Sequence, residues 1–132
     1  MLAWLLDEDA AEIVLGLLTA EQLIIASDLT LIECDRALHR AVALKELTEA
    51  EAADRRAHLA TVSSHWTLLR IGPEVVERAR QAFPGVPIRT LDAIHLASLL
   101  VARAAVPGLT LLSLDTRVRD AAVQLGIEAR PK

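Results

Sequence analysis

Three carboxylates carry the chemical signal in this sequence: Glu33, Asp92 and Asp115. Each lies in, or at the start of, a stretch with helical spacing that follows an apolar segment or loop. Asp92 stands in Thr90-Leu91-Asp92-Ala93-Ile94-His95-Leu96-Ala97, with Leu99 a turn further on. An acid surrounded by that much apolar bulk needs a partner, because an unpaired carboxylate is costly to bury. A metal is one candidate. No Cys or His pairing accompanies the three acids, so the ion they would hold is a hard one, Mg²⁺ or Mn²⁺. An ion so held could bridge a scissile phosphate and activate a water.

Each acid also has an ordinary explanation. Thr30-x-x-Glu33 has the form of a capping box. Asp92 can complement the dipole of a helix capped by Thr90. Asp115 can be an N-cap. A buried, hydrogen-bonded His95 is a better reading than a metal pair with Asp92, since no further nitrogen or sulfur ligand is apparent. His39, His58 and His65 show no ligand spacing, and Cys34 reads as a small core residue. No serine has a nucleophile-elbow setting and no Gly-rich phosphate loop is present. Arg89, Arg117 and Arg119 flank the acids and are candidates for RNA phosphate contacts, although solubility explains them as well.

The elements that must position these residues alternate between helix and strand. The first eighteen residues carry Leu2, Leu5, Leu6, Ile13 and Leu17 at helical spacing, interrupted by Asp7-Glu8-Asp9, with Asp9 a candidate cap. Gln22–Ala26 is expected as a strand, and Ser27-Asp28 as the start of a helix to about Lys45. Thr48-Glu49-Ala50-Glu51 predicts a capping box and a helix to about Ser63. Trp66–Ile71 is a second strand. Pro73 starts a helix reaching toward Phe83-Pro84-Gly85. The spacing predicts a helix from a Thr90 cap to about Ala104. A strand is expected over Leu109–Leu114, a helix from Asp115 to Gly126 and a last strand over Ile127–Ala129. The strands are apolar without clear alternation, as in a parallel sheet covered on both faces. In such α/β folds ligands collect beyond the carboxyl ends of the strands, where all three acids can be placed.

The chain has 132 residues, 53% of them hydrophobic, which suits one domain with its own core and excludes general disorder. A formal net charge of −4 gives no global basic footprint for nucleic acid, although bound metal inverts the local charge of an acidic site. Two Trp and one Phe, with no Tyr, are too few for a platform of stacked bases. The single cysteine cannot form an internal disulfide and fits a reducing, cytoplasmic setting. No stretch is long and apolar enough for a signal peptide or membrane span.

Three segments resemble those of the PIN domain, and of the VapC-type toxins in particular. IRTLDAIHLASLL is similar to the family's third-acid helix, LTLLSLDTRVRDAAVQLGI to its fourth-acid strand and helix, and IASDLTLIECDRAL to the segment with the glutamate ligand. The resemblance runs from about residue 2 to 130, with the segments in the family's order. It implies a three-layer α/β/α fold with a parallel sheet over a single domain, 1–132. It also implies a Mg²⁺- or Mn²⁺-dependent endoribonuclease of a type II toxin–antitoxin system. Glu33, Asp92 and Asp115 would be its catalytic metal ligands, RNA its substrate, a cognate antitoxin its partner and a homodimer its usual state. One departure stands out. The family's first acid ends an N-terminal strand, whereas this sequence opens at Met1-Leu2-Ala3-Trp4-Leu5-Leu6, which resembles the helix after it. The usual first strand and its Asp are therefore expected to be missing. That leaves three readings: an RNA-cleaving toxin, a catalytically impaired PIN-fold module that engages an antitoxin without cleaving RNA, and a generic α/β ligand-binding domain whose acids are helix caps.

Overall fold

Side-chain caps start the helices at Glu49 and Thr116 and a proline starts the helix at Pro73, and the strands form only over short paired stretches. The computed structural model describes residues 9–132. Leu2, Leu5, Leu6, Asp7 and Glu8, which figure in the expected opening, lie outside the described residues. The described chain runs α1 (Ala11–Ala20), β1 (Ile25–Ser27), α2 (Asp28–Ala43), α3 (Glu49–Ser63), β2 (Thr67–Leu69), α4 (Pro73–Ala79), α5 (Thr90–Ala105), β3 (Leu111–Leu112), α6 (Thr116–Gln124) and β4 (Ala129–Arg130). It is a mixed α/β fold with helices and short parallel strands, consistent with a PIN-like α/β/α architecture. The residues divide into two units, one ending at Leu68 and one from Leu69 to Lys132.

In the first unit β1 and β2 form a two-stranded sheet, with the Thr67 N–H donating to the Ile24 carbonyl at 2.9 Å. Ala26, Cys34, Leu38, Leu59 and Trp66 form its core, and Ile24, Leu31, Leu47 and Val62 pack around them. Cys34 and Leu38, one turn apart on α2, are both fully buried. Burial pushes the Cys34 thiol up to about 11, as expected of a core cysteine whose thiolate would be desolvated. The α3 helix starts as its sequence predicts. The Thr48 hydroxyl accepts from the Glu51 N–H at 3.1 Å, and a Glu51 carboxylate oxygen accepts from the Thr48 N–H at 2.8 Å, the reciprocal pair of a capping box.

In the second unit β3 and β4 pair in parallel, Leu111 opposite Ala129 and Leu112 opposite Arg130. Leu96, Val118, Ala121, Ala122 and Ile127 form the core between α5, α6 and the sheet. Gly126, at φ +75°, turns the chain from α6 toward β4 in the left-handed region that glycine adopts most readily.

Several expected boundaries move. The α1 helix is capped by Ala10 with no side-chain hydrogen bond, so Asp9 is not its cap. The α2 N-cap is Ser27, which places Thr30 at the third helical position and removes the expected capping box with Glu33. Thr90 is the first residue of α5 and not its cap, because Arg89 holds the extended cap conformation. The α4 helix stops at Ala79, short of Phe83. There Arg78 donates to the Ala82 carbonyl at 3.3 Å and lies over the Phe83 ring at 4.2 Å, holding the turn that Pro84 follows. The strands are shorter than their apolar runs, and β1 and β4 start later than expected.

Candidate metal and acidic site

Two of the three acids meet in the second unit. Asp92 occupies the third position of α5 and its side chain is 11% exposed. Ala93, Leu96 and Ala97 from the same helix are buried beside it in sequence. Its Oδ2 accepts from Arg89 Nε at 2.9 Å. Asp115 follows the end of β3 and caps α6. Its Oδ1 accepts from the Arg117 N–H at 2.9 Å and from the Val118 N–H at 3.3 Å. Its Oδ2 accepts from Arg89 Nη2 at 3.2 Å. One guanidinium thus joins carboxylates that lie 23 positions apart in the chain, at the starts of two helices.

The placement follows from local chemistry. Asp115 ends up beyond the carboxyl end of β3 because the strand stops after Leu112, and the Ser113 N–H makes the last parallel bond, to the Arg130 carbonyl at 3.0 Å. The Ser113 hydroxyl then accepts from the Asp115 N–H at 3.2 Å, and the Ser113 carbonyl accepts from Arg119 Nη1 at 3.0 Å. Arg119 also donates to the Thr116 hydroxyl. These bonds fix the strand-to-helix turn that presents the carboxylate. Asp92 is presented by the first turn of α5, whose free N–H groups and positive dipole end favour an anion. The hydrogen bond from Arg89 to Asp92, followed by the charge of Asp92 and then that of Asp115, holds the guanidinium above its ordinary value.

Glu33 belongs to the first unit. It is half-buried at the sixth position of α2, next to Cys34 in sequence, and is not an N-terminal cap. Within neither unit do three or more Asp, Glu, His or Cys side chains gather in metal-binding geometry, among the described residues. His95 is half-buried on α5. Of the three arginines beside the acids, Arg117 is exposed, Arg119 is tied to Ser113 and Thr116, and Arg89 is tied to the acids themselves.

A family model, described as the PIN domain, matches residues 1–124. The chain belongs to the PIN domain family. No curated protein and no solved structure matches it. PIN domains are generally metal-dependent nucleases that use Mg²⁺ or Mn²⁺ and act on nucleic acid. The donor set here fits such an ion in part. Two carboxylates converge on one positive charge, all the donors are hard oxygens, and one oxygen of Asp115 is committed to the helix cap while the other faces the cation. Asp92 and Asp115 are therefore the residues of this PIN domain that would hold it. A bound divalent ion supplies charge neutralisation at a phosphate and a more acidic water. The chain's own contribution is to hold both carboxylates beside one guanidinium.

Ser113 was not anticipated at the site, and Arg89 was expected there only as a phosphate contact. Ser113 positions Asp115, and the Ser-x-Asp spacing after a strand is the local signal for that turn. Arg89 is the counter-charge of the acids, signalled by Arg89-x-x-Asp92 across a helix start. No helix among the described residues is long and apolar enough to cross a membrane.

Proposed function

We propose that this PIN domain is a Mg²⁺- or Mn²⁺-dependent endoribonuclease of VapC type, the toxin of a type II toxin–antitoxin pair. In this reading the 132 residues form one domain acting in the cytoplasm on RNA, restrained by a cognate antitoxin and working as a homodimer. Asp92 and Asp115 are its metal ligands, Glu33 is the third acid, and Arg89, Arg117 and Arg119 are its phosphate contacts. The observation that carries it is the convergence of Asp92 and Asp115 on one cation at the ends of a strand and a loop. Caps alone do not require that convergence. A cap needs only the N–H groups of its own helix, and Asp115 uses a single oxygen for them.

Expression in a bacterial host should arrest growth and leave RNA cut at defined positions, and Asp92→Asn should abolish both effects. Growth arrest and cutting that survive Asp92→Asn would overturn the assignment. A second reading, a PIN-fold module that engages an antitoxin without cleaving RNA, is favoured by one observation: Arg89 reaches both acids and offsets part of their charge. It predicts unaffected growth and intact RNA, with antitoxin binding retained.

A further inference from the structure

We propose that Arg89 is an internal counter-cation that competes with the divalent ion for Asp92 and Asp115 and gives the pair up when the ion binds. The inference rests on the reading of the pair as a metal site and adds a residue that sets its affinity.

The three partners differ in freedom. Asp92 has a side chain only 11% exposed in the first turn of α5, where the helix backbone sets its position. Asp115 is fixed by two backbone N–H groups on Oδ1. The Arg89 side chain is 62% exposed. Only Arg89 can leave the triad cheaply, since an exposed guanidinium exchanges its carboxylates for water with little net loss. Its presence answers a second need. Two carboxylates brought together repel, and one of them is largely withdrawn from solvent, so the pair requires positive charge whether or not an ion is bound. Arg89 Nε and Nη2 supply it at 2.9 Å and 3.2 Å, to the Oδ2 atoms of both acids. The helix cap takes Asp115 Oδ1, so at Asp115 an ion would compete for the oxygen that Arg89 holds. Once displaced, the guanidinium remains tethered three residues from Asp92, within reach of a phosphate oxygen, for which its planar fork is suited.

The test is a Mn²⁺ titration of the full chain, followed by the electron paramagnetic resonance signal of free Mn²⁺. The proteins compared are the wild type, Arg89→Ala, Arg89→Gln, Arg89→Lys and Asp92→Asn. The two neutral variants should bind Mn²⁺ about three- to tenfold more tightly than the wild type, the range set by exposed ion pairs. Arg89→Lys should fall between, because it keeps the charge and loses the two-pronged reach. The Mn²⁺-induced rise in melting temperature should follow the same order. Binding by Arg89→Ala and Arg89→Gln that is equal to or weaker than wild type would overturn the competition. Asp92→Asn reports separately on the metal site: undiminished binding there, or no binding in any variant, would overturn the metal reading itself and this inference with it.

Discussion

Asp115 performs two tasks with two oxygens, and substitutions can separate them. Oδ1 caps α6 through the Arg117 and Val118 N–H groups, while Oδ2 faces Arg89. Asp115→Ala removes both. Loss of an N-cap costs about 1 kcal/mol. The Arg89 pair adds little, because its two side chains are 62% and 38% exposed and solvent screens them. The expected total is about 1 kcal/mol. Asp115→Asn keeps an acceptor of the same shape at the cap and loses only the charge, so its cost should stay well below that of the Ala variant. Urea unfolding followed by far-UV circular dichroism would measure both, with an unchanged denaturant slope as the check that the transition is the same. Equal losses for Ala and Asn, or a neutral Ala variant, would refute the division of labour. If the division holds, Asp115→Asn gives a folded protein with an impaired site, the variant a functional assay needs.

Other outcomes follow from the same geometry. Leu96→Ala, at a fully buried position of the second core, should cost about 2–5 kcal/mol in the same unfolding measurement, and a loss below about 1 kcal/mol would contradict its place there. Cys34 should resist thiol reagents in the native state at mildly alkaline pH. Its folded value, about 11, lies above the ordinary 9.0, so its contribution to stability is complete below about pH 9 and lost as pH rises toward about 11. A Cys34→Ala protein should lack that decline, and identical pH profiles for the two proteins would refute it. Thr48→Ala should destabilise α3 by about 1 kcal/mol. The hydrogen bond from the Thr48 N–H holds Glu51 below the ordinary carboxylate range. The capping box should therefore be intact above that range and fail as pH falls through the lowered value, a change visible as loss of helical signal in the wild type and reduced in Glu51→Gln.

Helix starts with a complete local signature were legible in the sequence. Thr48-x-x-Glu51 carries both halves of its capping box, and Asp115 follows an apolar strand and precedes a helical pattern. Both form as expected, since every partner is within three residues. Thr90 shows the limit of this reasoning. Whether a residue is the cap or the first helical position depends on the backbone of its neighbour, and Arg89 takes the cap conformation without supplying a capping oxygen. Asp9 and Thr30 misled for the same reason. Strand ends were less legible still. The run Leu109–Leu114 is apolar throughout, but only Leu111 and Leu112 find parallel partners in the short final strand, and hydrophobicity does not register where a partner ends. At the site, the acids stood out by type and position. Ser113 did not, and Arg89 stood out only as a phosphate contact, because their roles depend on contacts between segments: Arg89 reaches 26 positions along the chain, and the backbone of Ser113 must leave β3 before its side chain can hold Asp115.

In the proposed function Asp92 and Asp115 act as one metal-dependent site on RNA. Its most direct test is cleavage of structured RNA by the purified wild type in Mg²⁺, beside Asp92→Asn and Asp115→Asn proteins shown to be folded by circular dichroism. The wild type should cut RNA and stop on addition of a chelator, and both variants should leave the RNA intact. Cleavage that persists in either folded variant, or that is indifferent to the chelator, would contradict that function.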